Sequence, residues 1–237
     1  MYFLRERGEP FRLEKLPTDR TLFFPEATIA NDFANRGVYE RNVMDWARDA
    51  LLPEGSVFVD IGAHVGTYTL TMAPKASACV AFECTPKTYN YLCANLALHR
   101  LDTKADAHRV ALGNTNGTTQ LFIRNEDGGG NGCLPFARDT ATPIEVPLRT
   151  LDSYGLKNVG LLKLDVEGLE KAVLEGAQET LRTNGYPKFL FESWGDDNPN
   201  VPARALRKEL FDYIESTGYR VVPIRGARDL FLAEYVK

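Results

Sequence analysis

Four acids in this chain each follow a short apolar run: Val57-Phe58-Val59 before Asp60, Ala78–Phe82 before Glu83, Val159–Leu164 before Asp165, and Phe189-Leu190-Phe191 before Glu192. An acid at the carboxyl end of a buried strand sits where open α/β sheets bind ligands. Any one of them could simply terminate a strand, but four at one sheet edge would ring a single crevice. Directly after Asp60 comes Ile61-Gly62-Ala63-His64-Val65-Gly66. Gly62 permits a sharp turn where a Cβ would clash, and Gly66 permits close approach of helix and ligand. The spacing is Gly-x-x-x-Gly, and His64 stands where the dinucleotide fingerprint Gly-x-Gly-x-x-Gly needs its middle glycine. An acid just before the turn repels a diphosphate and suits a cation. S-adenosylmethionine (SAM) carries a sulfonium and an ammonium, and it is the leading candidate ligand.

Glu83 lies 23 positions after Asp60, the spacing of an acid that accepts both ribose hydroxyls of an adenosine. If the chemistry is methyl transfer to a hydroxyl, a carboxylate must take the departing proton, typically a ~10²–10⁴-fold contribution. Asp165 and Glu192 are the expected bases and Glu167 the reserve. Lys163 precedes Asp165 by two, which puts it on the same side of the strand, where it could keep Asp165 ionised or orient it. Asp165, Glu192 and Glu167 are also hard oxygen ligands, so a bound Mg²⁺ is a second reading; the metal-free reading is preferred because no dense acidic cluster is visible. Of the histidines, His64 is expected to shape the loop, His99 to close a helix and His108 to lie in a strand. Trp194, at a strand exit, could stack on a sugar or pack in the core.

These residues need elements to position them. Residues 1–34 read as irregular, punctuated by Pro10, Pro17 and Pro25, with Leu22-Phe23-Phe24 lying across the fold as a lid or edge. A helix follows to about Leu52, with Val43, Trp46, Ala47, Ala50 and Leu51 inward. After the glycine loop, Tyr68–Ala73 continues as a core helix. Thr85 is expected to cap a helix that has Pro86 at its first position and Tyr89, Leu92, Cys93 and Leu96 on its apolar stripe. A third strand is expected near Ala107–Leu112. Residues 115–150 read as a hairpin-like excursion, Thr118–Ile123 with Ile144–Leu148, and Asp127–Gly132 between them reads as a mobile loop that could act as a lid. Leu169, Val173, Ala177 and Leu181 mark one helix, and residues 203–217 mark another that ends at Gly218. Tyr219–Ile224 and Leu230–Tyr235 close the chain as a hairpin. Alternating strands and helices predict an α/β, three-layer, Rossmann-like sandwich. Its sheet should have seven strands, mostly parallel, with the closing antiparallel hairpin typical of class I SAM methyltransferases.

The 237 residues suffice for one domain with a full core, and all are assigned to it. A formal net charge of −4 and no basic run give no sign of a nucleic-acid partner. No stretch is apolar enough for a signal peptide or a membrane span, so the expected location is the cytoplasm. Cys79, Cys84, Cys93 and Cys133 form no Cys-x-x-Cys pair and read as free thiols.

The sequence resembles the FkbM-type SAM-dependent methyltransferases. The resemblance rests on Val59–Gly66, on Phe82-Glu83-Cys84-x-Pro86 followed by Asn95-Leu96, and on Ala111-Leu112-Gly113. It continues in Leu162–Gly168 with a later Gly176, in Phe191-Glu192, and in the upstream Tyr39-Glu40. Leu162-Lys163-Leu164-Asp165-Val166-Glu167-Gly168 is its most specific piece. Cys84 stands where the family usually has proline. The resemblance implies methyl transfer from SAM, usually to a hydroxyl of a sugar or natural product. By the same resemblance, Asp60, Gly62 and the Ala63-His64-Val65-Gly66 turn would cradle the methionine part and Glu83 the ribose, with Cys84 beside it. Ala111 and Leu112 would flank the adenine, and Glu40 would reach the ammonium end or the acceptor. The expected partner is a carbohydrate or small-molecule acceptor. The competing readings are a NAD-binding oxidoreductase, against which the loop and closing hairpin count, and a non-catalytic SAM-fold protein.

Overall fold

The computed structural model describes residues 40–124, 129–136, 140–194, 202–227 and 229–237, together with the backbone of three strands between residues 2 and 23. Those strands are β1 (Tyr2–Glu6), β2 (Glu9–Glu14) and β3 (Thr21–Phe23), an antiparallel meander. This corrects the expectation of an irregular start. Pro10 pointed away from a strand, but it lies opposite Arg5 on β1, outside the stretch Arg12–Glu14 that pairs with β3. A proline with a neighbour on only one side leaves the ladder intact. The remainder of the expected lid, and Tyr39, lie outside the described residues.

Helix α1 (Arg41–Trp46) runs into a wider turn, Ala47–Leu51, in which the Leu52 N–H reaches back to the Ala47 carbonyl. The extra residue per turn shifts the buried face to Met44, Ala47 and Leu52. Ala50, expected inward, is exposed for this reason, and Trp46, also expected inward, is exposed as well, in the regular helix before the wide turn.

The central sheet has seven strands. In chain order they are β4 (Val57–Ile61), β5 (Ala78–Phe82), β6 (Ala105–His108), β10 (Val159–Leu164), β11 (Lys188–Glu192), β12 (Tyr219–Pro223) and β13 (Leu230–Tyr235). Their spatial order is β12-β13-β11-β10-β4-β5-β6. β13 is antiparallel to both its neighbours, and β11-β10-β4-β5-β6 are parallel. Because both faces are covered, these strands read as near-continuous apolar runs. One face carries Val59, Ile61, Leu162, Leu164, Phe189 and Phe191, and the other Phe58, Ala81, Leu161 and Leu190, each within its own buried cluster.

Between these strands lie α2 (Thr67–Met72), α3 (Pro86–Leu98), α4 (Glu170–Glu175), α5 (Gln178–Thr183) and α6 (Ala203–Ser216). The helix expected across 169–181 is thus two. Asp152 supplies the break: its two carboxylate oxygens accept the N–H groups of Glu179 (3.0 Å) and Thr180 (2.7 Å) and start α5. Gly176 at the junction packs so closely that a Cβ there would lie 2.0 Å from the Gly113 carbonyl oxygen. Thr85 precedes α3 as expected but makes no side-chain cap; its N–H is taken by Glu83 instead. On α3, Tyr91 and Asn95 join Leu92 and Leu96 in the buried stripe, while Tyr89 and Cys93 are half-buried.

The strand expected over Ala107–Leu112 is also two. After β6 the Val110 N–H bonds the His108 carbonyl, turning the chain tightly. β7 (Ala111–Leu112) then leaves the main sheet and pairs with β9 (Pro143–Arg149), which pairs in turn with β8 (Gly117–Phe122). The excursion over 115–150 is therefore a small sheet of its own that begins beside the carboxyl end of β6.

Candidate active site

Parallel pairing sets the site. Leu164 lies opposite Phe191 and Ile61, and Ile61 opposite Phe82, so Asp165, Glu192, Gly62 and Glu83 leave the sheet at one edge. Asp60 sits one residue deeper, 1 % exposed. One of its oxygens accepts both the Thr69 N–H (2.9 Å) and the Thr69 hydroxyl (2.6 Å), which fixes α2 to the strand. Burial pushes its carboxyl up to about 6, against the pull of the Thr69 bonds and of Lys163.

The glycine loop leans on its neighbours at backbone distance. Gly62 has φ +77°, and a Cβ on it would lie 1.8 Å from the Asp165 carbonyl oxygen, so no other residue fits. Gly62 and Ala63 both donate to the Phe82 carbonyl. The Val65 carbonyl accepts from the amide of buried Asn95 on α3 at 2.7 Å, and Gly66 packs on Leu92. Glu83 closes the loop, one oxygen accepting the His64 N–H (3.0 Å) and the other the Thr85 N–H (2.7 Å). Each oxygen keeps a lone pair for a further donor.

Beside the loop lies a linked set of charges. The Lys163 ammonium, 3 % exposed, sits 3.1 Å from Asp165 and 5.2 Å from the centre of the Tyr68 ring. Tyr68 donates its hydroxyl to Glu40 at 2.8 Å. Burial alone would lower the Lys163 pKa, but the carboxylates of Asp165, Glu40 and Glu192 outweigh it and the net shift is upward. Burial likewise opposes ionisation of Asp165. The Lys163 charge and hydrogen bonds from Glu192 and Lys163 reverse that and hold it below the usual carboxylate range. The Asp165 charge pushes the Glu192 carboxyl up, with burial adding to it, and the two side chains share a hydrogen bond. The two titrate as a pair. The Asp165 side chain is 37 % exposed and opens on the cavity.

Glu167 lies across the mouth, raised to about 7 by burial and by Asp165. It accepts the Gly130 N–H at 3.0 Å and a hydrogen bond from Trp194. The described part of the glycine-rich segment, residues 129–136, is held rather than free. Arg124 donates to the Gly130 and Leu134 carbonyls, its N–H bonds Asn131, and its guanidinium stacks 3.6 Å from the centre of the Phe136 ring. Phe136 meets Trp194 edge-on. Trp194 packs where a Cβ on Gly168 would sit, so it braces the wall. Asp127 and Gly128 lie outside the described residues.

These parts enclose a cavity of about 480 Å³. Of the residues expected at the site, Asp165, Glu192, Glu167, Lys163, Glu40, Asp60, Gly62, Ala63, His64, Glu83, Cys84, Ala111 and Leu112 line it. Val65 and Gly66 stand behind the wall. Gly129 and Asn131, from the glycine-rich segment expected to act as a lid, line it too, and sequence reasoning missed Tyr68, Val110, Cys133, Asp229 and Leu230. Tyr68 was legible in principle, six residues beyond Gly62 at the start of the core helix. The others come from turns and loops, or from the first residue of β13, whose placement at the cavity no local pattern encodes. Among the described residues no three His, Cys, Asp or Glu side chains are grouped to hold a metal ion. Asp165 and Glu192 are engaged with each other and with Lys163, so the donor set does not fit the Mg²⁺ reading. Among the same residues no helix is long and apolar enough to cross a membrane.

A sequence model of the Methyltransferase FkbM domain matches residues 60–221. The chain is 26 % identical over 200 residues to Methyltransferase sdnD of Sordaria araneosa, covering 70 % of this chain and 76 % of that protein. It is 28 % identical over 181 residues to Methyltransferase 1 of Beauveria bassiana, covering 65 % and 70 % respectively. The fold is similar to that of Methyltransferase FkbM from Methylobacillus flagellatus (TM-score 0.57, 18 % identity, 81 % of this chain), although the chain spans about half of that protein, 48 %. It is also similar to the Streptococcus mutans protein SMU.1697c in complex with SAH (TM-score 0.52, 9 % identity, covering 84 % and 98 %).

Proposed function

The chain belongs to the FkbM methyltransferase family, and from that premise we propose that it transfers a methyl group from SAM to a hydroxyl oxygen of a sugar or small natural product. The observation that carries this reading is the cavity-facing Asp165, 3.1 Å from the buried Lys163 ammonium and next to Glu192, on the same sheet edge as the Gly62 turn. The residues fit the cofactor. Carboxylates of Glu40, Asp60, Glu83 and Asp165 surround the cavity and favour a cationic ligand. Glu83 offers two oxygens to a vicinal diol, and Ala111 and Leu112 offer an apolar edge to a flat base.

SAM supplies a methyl carbon already activated by its sulfonium. What remains for the chain is to align the acceptor oxygen with that carbon, exclude water and remove one proton. Asp165 accepts the acceptor hydroxyl's hydrogen bond and so orients an oxygen lone pair. An alcohol oxygen that gains a methyl group becomes an oxonium, a strong acid, so Asp165 can take the proton despite its lowered pKa. Glu192 holds Asp165 from behind, and Lys163 keeps it charged until that moment. The Arg124-braced wall and Glu167 screen the site from solvent. The acidic lining selects an uncharged acceptor over a phosphate or carboxylate.

Calorimetry with SAH and with NAD tests the first half: SAH should bind, and NAD binding without SAH would overturn the reading. Asp165→Asn tests the second. Methyl transfer to an accepted sugar or polyol should fall by ~10²–10⁴-fold while SAH affinity stays. Unchanged turnover would remove Asp165 from the role of base.

A further inference from the structure

Two of the four free cysteines meet inside the cavity. Cys84 directly follows Glu83, and Cys133 comes from the glycine-rich wall, 49 positions later in the chain. Their thiols are hydrogen-bonded to each other, and both pack on the small apolar cluster of Ala111, Leu121 and Val146. Both line the cavity, so a small solute that enters it reaches them. The two sulfurs are unlike. The hydrogen bond from Cys84 lowers the Cys133 thiol; burial and Glu83 oppose this, while Thr119 and Arg124 support it. Cys84, by that same bond and by burial, is raised well above an ordinary thiol. The shared hydrogen bond thus lowers one thiol and raises its neighbour, the asymmetry of an attacking and a resolving cysteine. The other two lack such a partner: Cys79 is buried in β5 and pushed up to about 12, and Cys93 lies on α3 away from the cavity.

We propose that Cys84 and Cys133 are a peroxide-oxidisable thiol pair whose disulfide competes with occupancy of the cofactor cavity. The chemistry balances with one hydrogen peroxide. The Cys133 thiolate attacks a peroxide oxygen and breaks the O–O bond, giving Cys133 sulfenic acid and hydroxide, which takes up the proton Cys133 had released. The Cys84 sulfur then attacks the Cys133 sulfur, the S–O bond breaks, and the oxygen leaves as water with the Cys84 proton. Two thiols lose two electrons, and one peroxide becomes two waters.

The effect on the site follows from where the bond forms. A disulfide brings the sulfurs to about 2.05 Å, well inside hydrogen-bond contact. That draws Cys133 and Gly132 toward Glu83 and tightens the cavity at the end assigned to the adenosine. Linkage is reciprocal, so a ligand that holds the wall open disfavours the disulfide to the same degree.

The competition rests on reading the cavity as a cofactor site, so the reduced protein is first titrated with SAH. Failure to bind would count against that reading, while the cross-link itself is read separately by mass. The reduced protein is then treated with hydrogen peroxide, with and without saturating SAH, and peptide-mapped. The expected product is a Cys84–Cys133 linked peptide, suppressed by SAH and reversed by dithiothreitol. SAH affinity of the oxidised protein should be weaker by at least about tenfold. In Cys84→Ser the reaction should stop at a Cys133 sulfenic acid, trapped by dimedone, and Cys133→Ser should give no linked peptide and no such adduct at Cys84. The proposal is overturned if peroxide leaves both thiols free, if it oxidises Cys79 or Cys93 first, or if the linked protein binds SAH as tightly as the reduced one.

Discussion

At the scale of single residues, the site depends on close approaches and on one ion pair. Gly62 has a left-handed backbone and stands against the Asp165 carbonyl, 1.8 Å from where a Cβ would lie. Gly62→Ala should therefore cost about 1–3 kcal/mol from conformation alone, and more from displacing the Asp165 strand end. The checks are chemical denaturation and SAH affinity, and a variant as stable and as tight as the parent would refute the packing described. Lys163 shifts Asp165 downward through its charge 3.1 Å away. Lys163→Met should let burial dominate, raise the Asp165 pKa, and move the acid limb of the kcat/KM profile to higher pH. An unmoved limb would mean that Lys163 only fills space. The Asp165, Glu192 and Lys163 cluster was readable in the sequence because parallel strands bring their ends to one edge. The division of labour within it was not readable. That Asp165 is the lowered and Glu192 the raised member of the pair follows from the Lys163 ammonium 3.1 Å from Asp165, a placement that residue types do not record.

At the scale of elements, legibility followed whether an element's cause is local. β4, β5, β10 and β11 were plain because buried parallel strands must be apolar on both faces. The breaks were not plain. α4 and α5 part because Asp152, from a distant loop, caps the second helix. The strand read over 107–112 parts because a three-residue turn at His108–Val110 hands β7 to a different sheet. The glycine-rich segment read as mobile because glycines report backbone freedom and not what restrains it. Its described part is restrained by Arg124, through the Gly130 and Leu134 carbonyls and the Phe136 ring. Arg124→Ala should release residues 129–136, removing a cation–π contact worth roughly 0.5–2 kcal/mol together with its carbonyl bonds. Hydrogen exchange of that segment should speed up with little change in the protection of β4 or β10. A spread of faster exchange through the sheet would show that the wall is part of the core.

At the scale of the whole molecule, the positions of the acids leave a signature in stability that does not depend on any acceptor. Asp60 is raised from an ordinary 3.8 to about 6 and Glu170 from 4.5 to about 7, both chiefly by burial. Glu170 is buried because it works as a brace: one oxygen accepts the Val166 and Gly168 N–H groups and shapes the turn that carries Glu167. An acid raised on folding binds its proton more tightly in the native state. Between its ordinary and its folded pKa, the unfolded chain has released the proton while the native protein still holds it. Stability therefore falls as pH climbs through about 4 to 7, each group contributing about 1.4 kcal/mol for every pH unit between its ordinary and its folded pKa. Asp165, lowered on folding, runs the other way, but its loss lies at lower pH, below the ordinary carboxylate range. The protein should accordingly melt at a higher temperature at pH 5 than at pH 8, by roughly 5–15 °C. Glu170→Gln keeps the carbonyl that accepts both N–H groups and removes the titration. It should shrink that difference by lifting the pH 8 melting temperature, with little change at pH 5. If the variant melts lower at both pH values by the same amount, Glu170 is ionised in the folded protein throughout this range and the turn below Glu167 needs its charge.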